Sequence, residues 1–564
     1  MVELTPEPIE DEATVYLKKF LADQSSMQER CSAFSWIVRH ATQIPVEDLS
    51  IACDVLVDLG DQVGVQKSGP DTDSLRSLLV LLCRTITSQK TPVPSPRVMS
   101  HLMRALNAIS FTDSTQTLLL EHGAFDIAAK MVESPDMHVV AEALLLATVL
   151  AVTVEIKVLF GQTAFVDKVV TCLSMPDEVV QERALATIWT LSIADGNRGI
   201  VRRAGASKPL LKLLASASNA IVENAVIALG YLTRDDEMKV LVRELGGLQA
   251  LITTLERTEN SDIQYKIAGV IWNCASNPEN KSAIRACGGI NVLLDLLTAT
   301  RPIPVLENAA GALWNLAVEE ESKQAIAACG GIHKLVHILQ TIEDTKVLDN
   351  VTGALWNCSA IPENRALLRK AGAMPVLLQR CQSESVTVRE NCVGAIRNMV
   401  INDNNKTAVR ESQGIEILLA LLHPKSSPSL IEKTVSAIWI LSMDNDNKKA
   451  LLESGGLAAL IRLLTHPSGS IVDKALGALR NCSTLLEAKM ELKVLGLFDY
   501  LLPLLMHEEI AIRESAAAVV WHCAKTEENK QHLADHGFLH RLVPMLSATR
   551  DPDLLTQEHG HQIG

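Results

Sequence analysis

ESKQAIAACGGIHKLVHILQTIEDTKVLDNVTGALWNCSA, residues 321–360, is one period of a chain that repeats itself. Its apolar spacing predicts a short helix around ESKQAIAAC, a corner at Gly330 and Gly331, a second helix around IHKLVHILQ, and a longer third helix, KVLDNVTGALWNCS. A glycine between two apolar helical patterns supplies the positive backbone angle that turns one helix sharply into the next. The same corner recurs at Gly123, Gly161, Gly205, Gly246, Gly288, Gly330, Gly372, Gly414, Gly455, Gly496 and Gly537, in steps of 38 and 44 and thereafter 41 or 42. In the preceding copy of the third helix, Val305, Leu306, Ala309, Ala312, Leu313 and Leu316 share one side. Glu307, Asn308, Gly311, Trp314 and Asn315 share the opposite arc.

A unit of this size cannot bury its apolar face alone, so the repeats are expected to stack into a one-dimensional array. Ten modules span residues 113–526, and a truncated unit, 527–547, caps them. Residues 13–112 read as degenerate helical repeats interrupted by two loops, Gly60–Asp73 and Ser88–Arg97. The acidic leader, 1–12, and the tail, 548–564, lack periodicity and are expected to be disordered.

Composition narrows the function. Apolar residues are 48% of the chain and aromatics 3%, a balance that favours helix on helix over sheets. The net charge of -14 repels phosphate backbones, which argues against a nucleic-acid ligand. The leader carries neither the basic start nor the apolar run of a secretory signal, and the most apolar run, Ala143–Val154, is too short to cross a bilayer, so a cytoplasmic chain without membrane insertion is expected. Twelve cysteines form no CxxC pair, and Cys274, Cys358, Cys482 and Cys523 share a column with Leu316, Met399 and Leu441, as small core residues in a reducing compartment would.

Three columns stand out on the polar arc of the third helix. Six of seven tryptophans, Trp189, Trp272, Trp314, Trp356, Trp439 and Trp521, fall in one of them, and the skipped copies hold Gly230, Arg397 and Arg480. A position shared by Trp, Arg and Gly is a poor core position, which makes it a candidate binding surface. The next residue is Asn273, Asn315, Asn357, Asn398 and Asn481, and elsewhere Thr190, Tyr231, Ile440 or His522. Seven residues before the Trp column runs an acidic one: Glu182, Glu223, Glu307, Asp349, Glu390, Glu432, Asp473 and Glu514, broken only by Tyr265. The acids either select basic side chains or pair with Lys266, Lys433 and Lys474.

The stretches NPENKSAIRACGGINVLLDLL (277–297), GALWNLAVEEESKQAIAACGGI (311–332) and GALWNCSAIPENRALLRKAGAMPVLL (353–378) resemble armadillo repeats. The polar residues before Lys281, Lys323, Lys406, Lys448 and Lys530, the Gly corner, the LL pair and the Ala-rich third helix all agree at the right spacing. The resemblance implies an all-α, right-handed α-solenoid (superhelix) whose third helices line a concave groove. In β-catenin-like and importin-α-like members that groove holds extended peptides, clamped by third-helix asparagines. Importin-α-like proteins place a Trp four residues before the Asn, where this chain has Gly269, Gly311, Gly353, Gly394 and Gly477.

Neither a phosphate loop, HExxH nor GxSxG occurs, and no metal or cofactor site is indicated, so a non-enzymatic chain is expected. The expected function is a scaffold or adaptor that binds an extended segment of partner proteins, best between Trp272 and Trp356. Two alternatives stand beside it: a regulator gripping a folded partner such as a small GTPase, and an importin-α-like transport receptor.

Overall fold

A computed structural model describes residues 96–110, 113–161 and 164–548, and all regular structure among them is helical. The leader, nearly all of 13–112 and the tail beyond Ala548 lie outside the described residues. The third helices are α1 (Pro96–Ile109), α2 (Met137–Leu150), α3 (Glu178–Ser192), α4 (Asn219–Leu232), α5 (Ser261–Cys274), α6 (Ile303–Leu316), α7 (Thr345–Ser359), α8 (Val386–Met399), α9 (Pro428–Leu441), α10 (Gly469–Cys482) and α11 (Ile510–Cys523). The chain divides after Ala283 into two compact units. In the first, α1 to α5 each lie against the next, and in the second α6 to α11 do the same.

Three local rules build the repeat. Most third helices start on Asp, Asn or Ser caps, as where the Asp344 side chain accepts from the backbone N–H groups of Lys346 and Val347, while α6 starts after Pro302 and α11 after Glu509. The corner is a left-handed residue, Gly330 at φ 72° in the period quoted above. The apolar arc then meets its neighbours: Val305, Leu306, Ala309, Ala312, Leu313 and Leu316 are fully buried, and so is the column of Cys274, Cys358, Cys523, Met399 and Leu441.

The corner reading needs two corrections. Gly161 is helical, and a side chain there would overlap the carboxamide of Asn197. In the eighth copy the left-handed residue is Gln413, at φ 54°, and Gly414 opens the following helix. A β-carbon on Gly414 would meet Leu378 and Val409 at 2.7 Å, so this glycine serves close packing. At the ends, Pro96 and Arg97 belong to α1 and not to the loop, and the last helix, Phe538–Ala548, runs to Ala548.

Beneath the surface lies an asparagine column on the first helices. Asn197, Asn280, Asn364, Asn405, Asn447 and Asn529 are almost wholly buried. Asn364 donates to the carbonyl of Cys358, at the end of its own repeat's third helix (3.1 Å), and to that of Lys323 one repeat back (3.4 Å). Asn197, Asn280, Asn405 and Asn529 likewise donate to a carbonyl at the end of the third helix that precedes each, which a buried helix end otherwise leaves without a partner.

Candidate functional site

In the tryptophan column Trp189, Trp272, Trp314, Trp356 and Trp439 are half-buried, and four of these rings, Trp189, Trp314, Trp356 and Trp439, lean on the neighbouring repeat. In the second unit the indole of Trp314 stands where a side chain on Gly353 would begin, and Trp356 does the same over Gly394, whose β-carbon would lie 2.6 Å from its ring. Trp439 rests on Gly477, with Nε1 2.8 Å from the same point. These glycines, three residues before the Trp position of their own repeat, are thus sockets for the ring of the preceding repeat. Lys433, two repeats beyond Trp356, places its Nζ 5.0 Å from that ring's centre. In the first unit Trp189 stacks on Tyr231, their centroids 6.3 Å apart. Trp521 is the exposed member, at 48%.

The asparagines beside them are half-buried and reach back one repeat. Asn273 donates to the Gly230 carbonyl (3.2 Å) and Asn398 to the Ser359 hydroxyl (3.0 Å). Asn357 meets the Trp314 carbonyl at 3.4 Å, and Asn481 meets that of Trp439 at 3.5 Å with Ser442 Oγ at 3.0 Å. Bonds of 3.4–3.5 Å are long and weak, and a carboxamide carries a second N–H and a carbonyl oxygen besides. Arg397 is exposed and lies 3.4 Å from the Asn398 oxygen, while Arg480 and Asn315 are half-buried.

The acidic column is engaged with the adjoining repeat. Lys266 meets Glu223 at 2.6 Å, Lys433 meets Glu390 at 2.6 Å and Lys474 meets Glu432 at 2.9 Å. Asp349 accepts from Ser385, Asp473 accepts from Ser515, and Lys346 lies 3.8 Å from Glu307. Burial pushes the Glu390 carboxyl up, but hydrogen bonds from Lys433, Ser429 and Ser427 outweigh it and hold the group below the usual carboxylate range. The Ser470 and Lys474 donors hold Glu432 low as well. Glu182 and Glu514 are exposed.

Two columns that the sequence offers only in part, through Lys266, Lys433 and Lys474 and through Lys281, Lys323, Lys406, Lys448 and Lys530, are completed by the structure. The residue after each acid faces the previous acid: Arg183 pairs with Glu142, which extends the acidic column one repeat upstream, and Asn350 and Asn391 bond the backbone carbonyls of Glu307 and Asp349. The rest of its signal was hidden because Lys, Arg, Asn and Ser515 share one job. The second is basic, on the first helices: Arg198, Lys239, Lys281, Lys323, Arg365, Lys406, Lys448, Lys489 and Lys530. Several reach the C-terminal ends of third helices, as Arg365 to the Ser359 carbonyl (3.2 Å), Lys239 to Ser276 (2.8 Å) and Lys448 to Thr484 (3.1 Å).

Among the described residues no group of three His, Cys, Asp or Glu is placed to hold a metal ion, and no helix is long and apolar enough to cross a membrane.

Comparison with known proteins agrees with this architecture. The model of the plant U-box protein ARM repeat region matches residues 307–554, and the armadillo/β-catenin-like repeat model matches 194–234, 235–276 and 277–318. The crystal structure of an engineered protein superposes with a TM-score of 0.66 at 26% identity, covering 72% of this chain and 98% of its own. A chain solved in work on a phosphorylation switch controlling the interaction between cadherin and β-catenin gives 0.69 at 18% identity, covering 91% and 99%. The outer dynein arm-docking complex subunit 2 of Bos taurus is 27% identical over 96 residues, which span 17% of this chain and only 9% of that protein. The stacked three-helix repeats, the corner residues and both family models agree: this chain belongs to the armadillo-repeat family.

Proposed function

We propose that the third-helix face of the second unit binds an extended segment of a partner protein, and that the chain is a non-enzymatic scaffold or adaptor. One observation carries the reading. Trp314, Trp356, Arg397, Trp439, Arg480 and Trp521 stand in one column with Asn315, Asn357, Asn398 and Asn481 beside it, none of the ten fully buried. Neighbouring helices pack about 8–10 Å apart and an extended chain advances about 3.3 Å per residue. Each repeat therefore meets every second or third residue of a bound strand. Ring edges supply apolar pockets, and the carboxamides supply backbone hydrogen bonds.

The acidic column contributes less to selection than its spacing suggests, because its members hold the adjoining repeat. The exposed Glu182 and Glu514 and the exposed Arg397 are the charges most available to a partner. Two similarities support the reading by analogy: the β-catenin work concerns an interaction with cadherin, and the bovine relative is a subunit of a docking complex.

The test is affinity capture with the wild-type chain beside an Asn357→Ala, Asn398→Ala, Asn481→Ala variant and a Trp314→Ala, Trp356→Ala variant, each checked for intact helicity. Captured clients are then titrated as synthetic segments. Loss of about 2 kcal/mol or more in the Trp variant is expected for hot-spot aromatics. Clients that bind both folded variants as tightly as wild type reject the groove.

A further inference from the structure

In the second unit the basic column of the first helices is neutralised in some repeats and bare in others. Lys406 pairs with Asp403, three residues earlier, at 2.8 Å and Lys530 with Glu527 at 2.6 Å, whereas Lys323, with Glu320 three residues earlier, forms no such pair among the described residues. The first unit likewise pairs Arg198 with Asp195, and Lys239 with Asp236. In the helices Asn445–Glu453 and Leu486–Val494 those positions are Asn445 and Leu486. Lys448 bonds only Asn445 and Thr484, and neither it nor Lys489 has a carboxylate partner among the described residues. Both are less than a tenth exposed, so water screens them poorly.

Two more cations stand at the same end of the third-helix face, Arg480 on α10 and Lys525 just after α11. Neither pairs with a carboxylate among the described residues, and the nearest member of the acidic column on α10, Asp473, is bonded to Ser515. Lys525 Nζ lies 4.0 Å from the ring centre of Trp521, the exposed tryptophan, which also meets His522 edge-on at 4.6 Å. His522 takes the place that asparagine holds in other repeats. Burial first, and then Lys525, Arg480, Lys489 and Lys448, hold its imidazole below the usual histidine range.

We infer that this end of the face, across α10 and α11, docks an acidic segment of a partner protein. Carboxylates meet Arg480, Lys525 and the lysines at the helix ends, and an apolar residue packs against the open ring of Trp521. Charge complementarity carries the assignment: Arg480, Lys525, Lys448 and Lys489 stand about His522 without a carboxylate pair among the described residues, whereas Lys433 and Lys474 are paired across repeats. A net charge of -14 repels a long polyanion, but a short peptide within a Debye length of about 8–10 Å senses the local cations. The inference rests on the peptide-binding reading and names the partner's chemistry at one end of it.

Fluorescence anisotropy with the full chain tests it, using three short labelled peptides and a single-stranded oligothymidylate. One peptide alternates Glu with Leu and Ser, and the others carry Gln or Lys in place of Glu. The Glu peptide is expected to bind about tenfold tighter than the Gln peptide at low salt, with the margin shrinking as salt rises. Arg480→Glu with Lys525→Glu is expected to abolish the margin, and the milder Arg480→Gln with Lys525→Gln to reduce it without a change in the thermal unfolding midpoint. Equal affinity for the Glu and Gln peptides, preference for the Lys peptide, or tighter binding of the oligothymidylate overturns the inference. Trp314→Ala with Trp356→Ala is expected to leave the Glu-over-Gln margin intact, so loss of the central groove and loss of the acidic end are read from different variants.

Discussion

At Gly353 the missing β-carbon is what lets the Trp314 indole settle on the next third helix, and the same holds at Gly394 and Gly477. A methyl group at 353 would press into the ring, and overpacking of this kind costs about 1–3 kcal/mol. Gly353→Ala is therefore expected to destabilise the second unit by that amount in denaturant titrations. In a Trp314→Ala background the penalty is expected to shrink well below 1 kcal/mol, because the obstructing ring is gone. An equal penalty in both backgrounds would mean that the ring is not seated there. Gln413 presents the opposite case: a side chain at φ 54°, where the other corners of the second unit carry glycine. The left-handed region costs a residue with a β-carbon roughly 1–2 kcal/mol, partly offset by glycine's greater loss of backbone entropy. Gln413→Gly is expected to raise stability by about 0.5–1 kcal/mol, and a fall in the unfolding midpoint would contradict the assignment of the corner to 413.

Each repeat is held to the next by two asparagine columns of unlike burial, and substitution separates their roles. Asn364 is sealed and serves the carbonyls of Cys358 and Lys323, so Asn364→Leu leaves two buried acceptors short of a donor. A loss of about 1–3 kcal/mol is expected by urea denaturation. Asn357 is half-exposed and meets its acceptor at 3.4 Å, so Asn357→Ala is expected to cost clearly less, since water can replace the bond. Comparable losses at both would remove the reason for treating the outer column as available to a ligand. The sequence pattern places both columns in register, because a 41–42-residue period aligns them whatever their depth. What it hides is which carboxamide faces inward. Periodicity also offers Glu390 and Lys433 as a pair but leaves it level with a ligand-selecting role until the structure joins them across 43 residues, and it merges the two glycine roles at 413–414, where the left-handed turn and the close approach fall on adjacent positions.

Across the second unit, inter-repeat carboxylates link stability to pH. Glu390 and Glu432 each accept from a lysine of the following repeat, and both titrate below the ordinary value of 4.5 when folded. The unfolded chain therefore binds more protons than the folded one in that range. Their contribution is fully present above the unfolded value and is lost as pH falls through the depressed folded values. Denaturant midpoints are expected to be flat from pH 7 to about 5 on this account and to drop steeply below about 4.5. Acid first removes the net charge of -14 and then, below the isoelectric point near 5.6, makes the chain net positive, so self-repulsion over the whole chain also grows in this window. Glu390→Gln with Glu432→Gln separates the two. Because each repeat in such an array touches only its neighbours, removing two pairs weakens the unit locally and leaves the global charge effect almost unchanged. The variant is expected to have a lower midpoint at pH 7 and a shallower fall between pH 5 and pH 3, the two curves converging in acid where the wild-type carboxylates are protonated. Parallel curves would place the acid sensitivity elsewhere and reduce these pairs to surface contacts of little energetic weight.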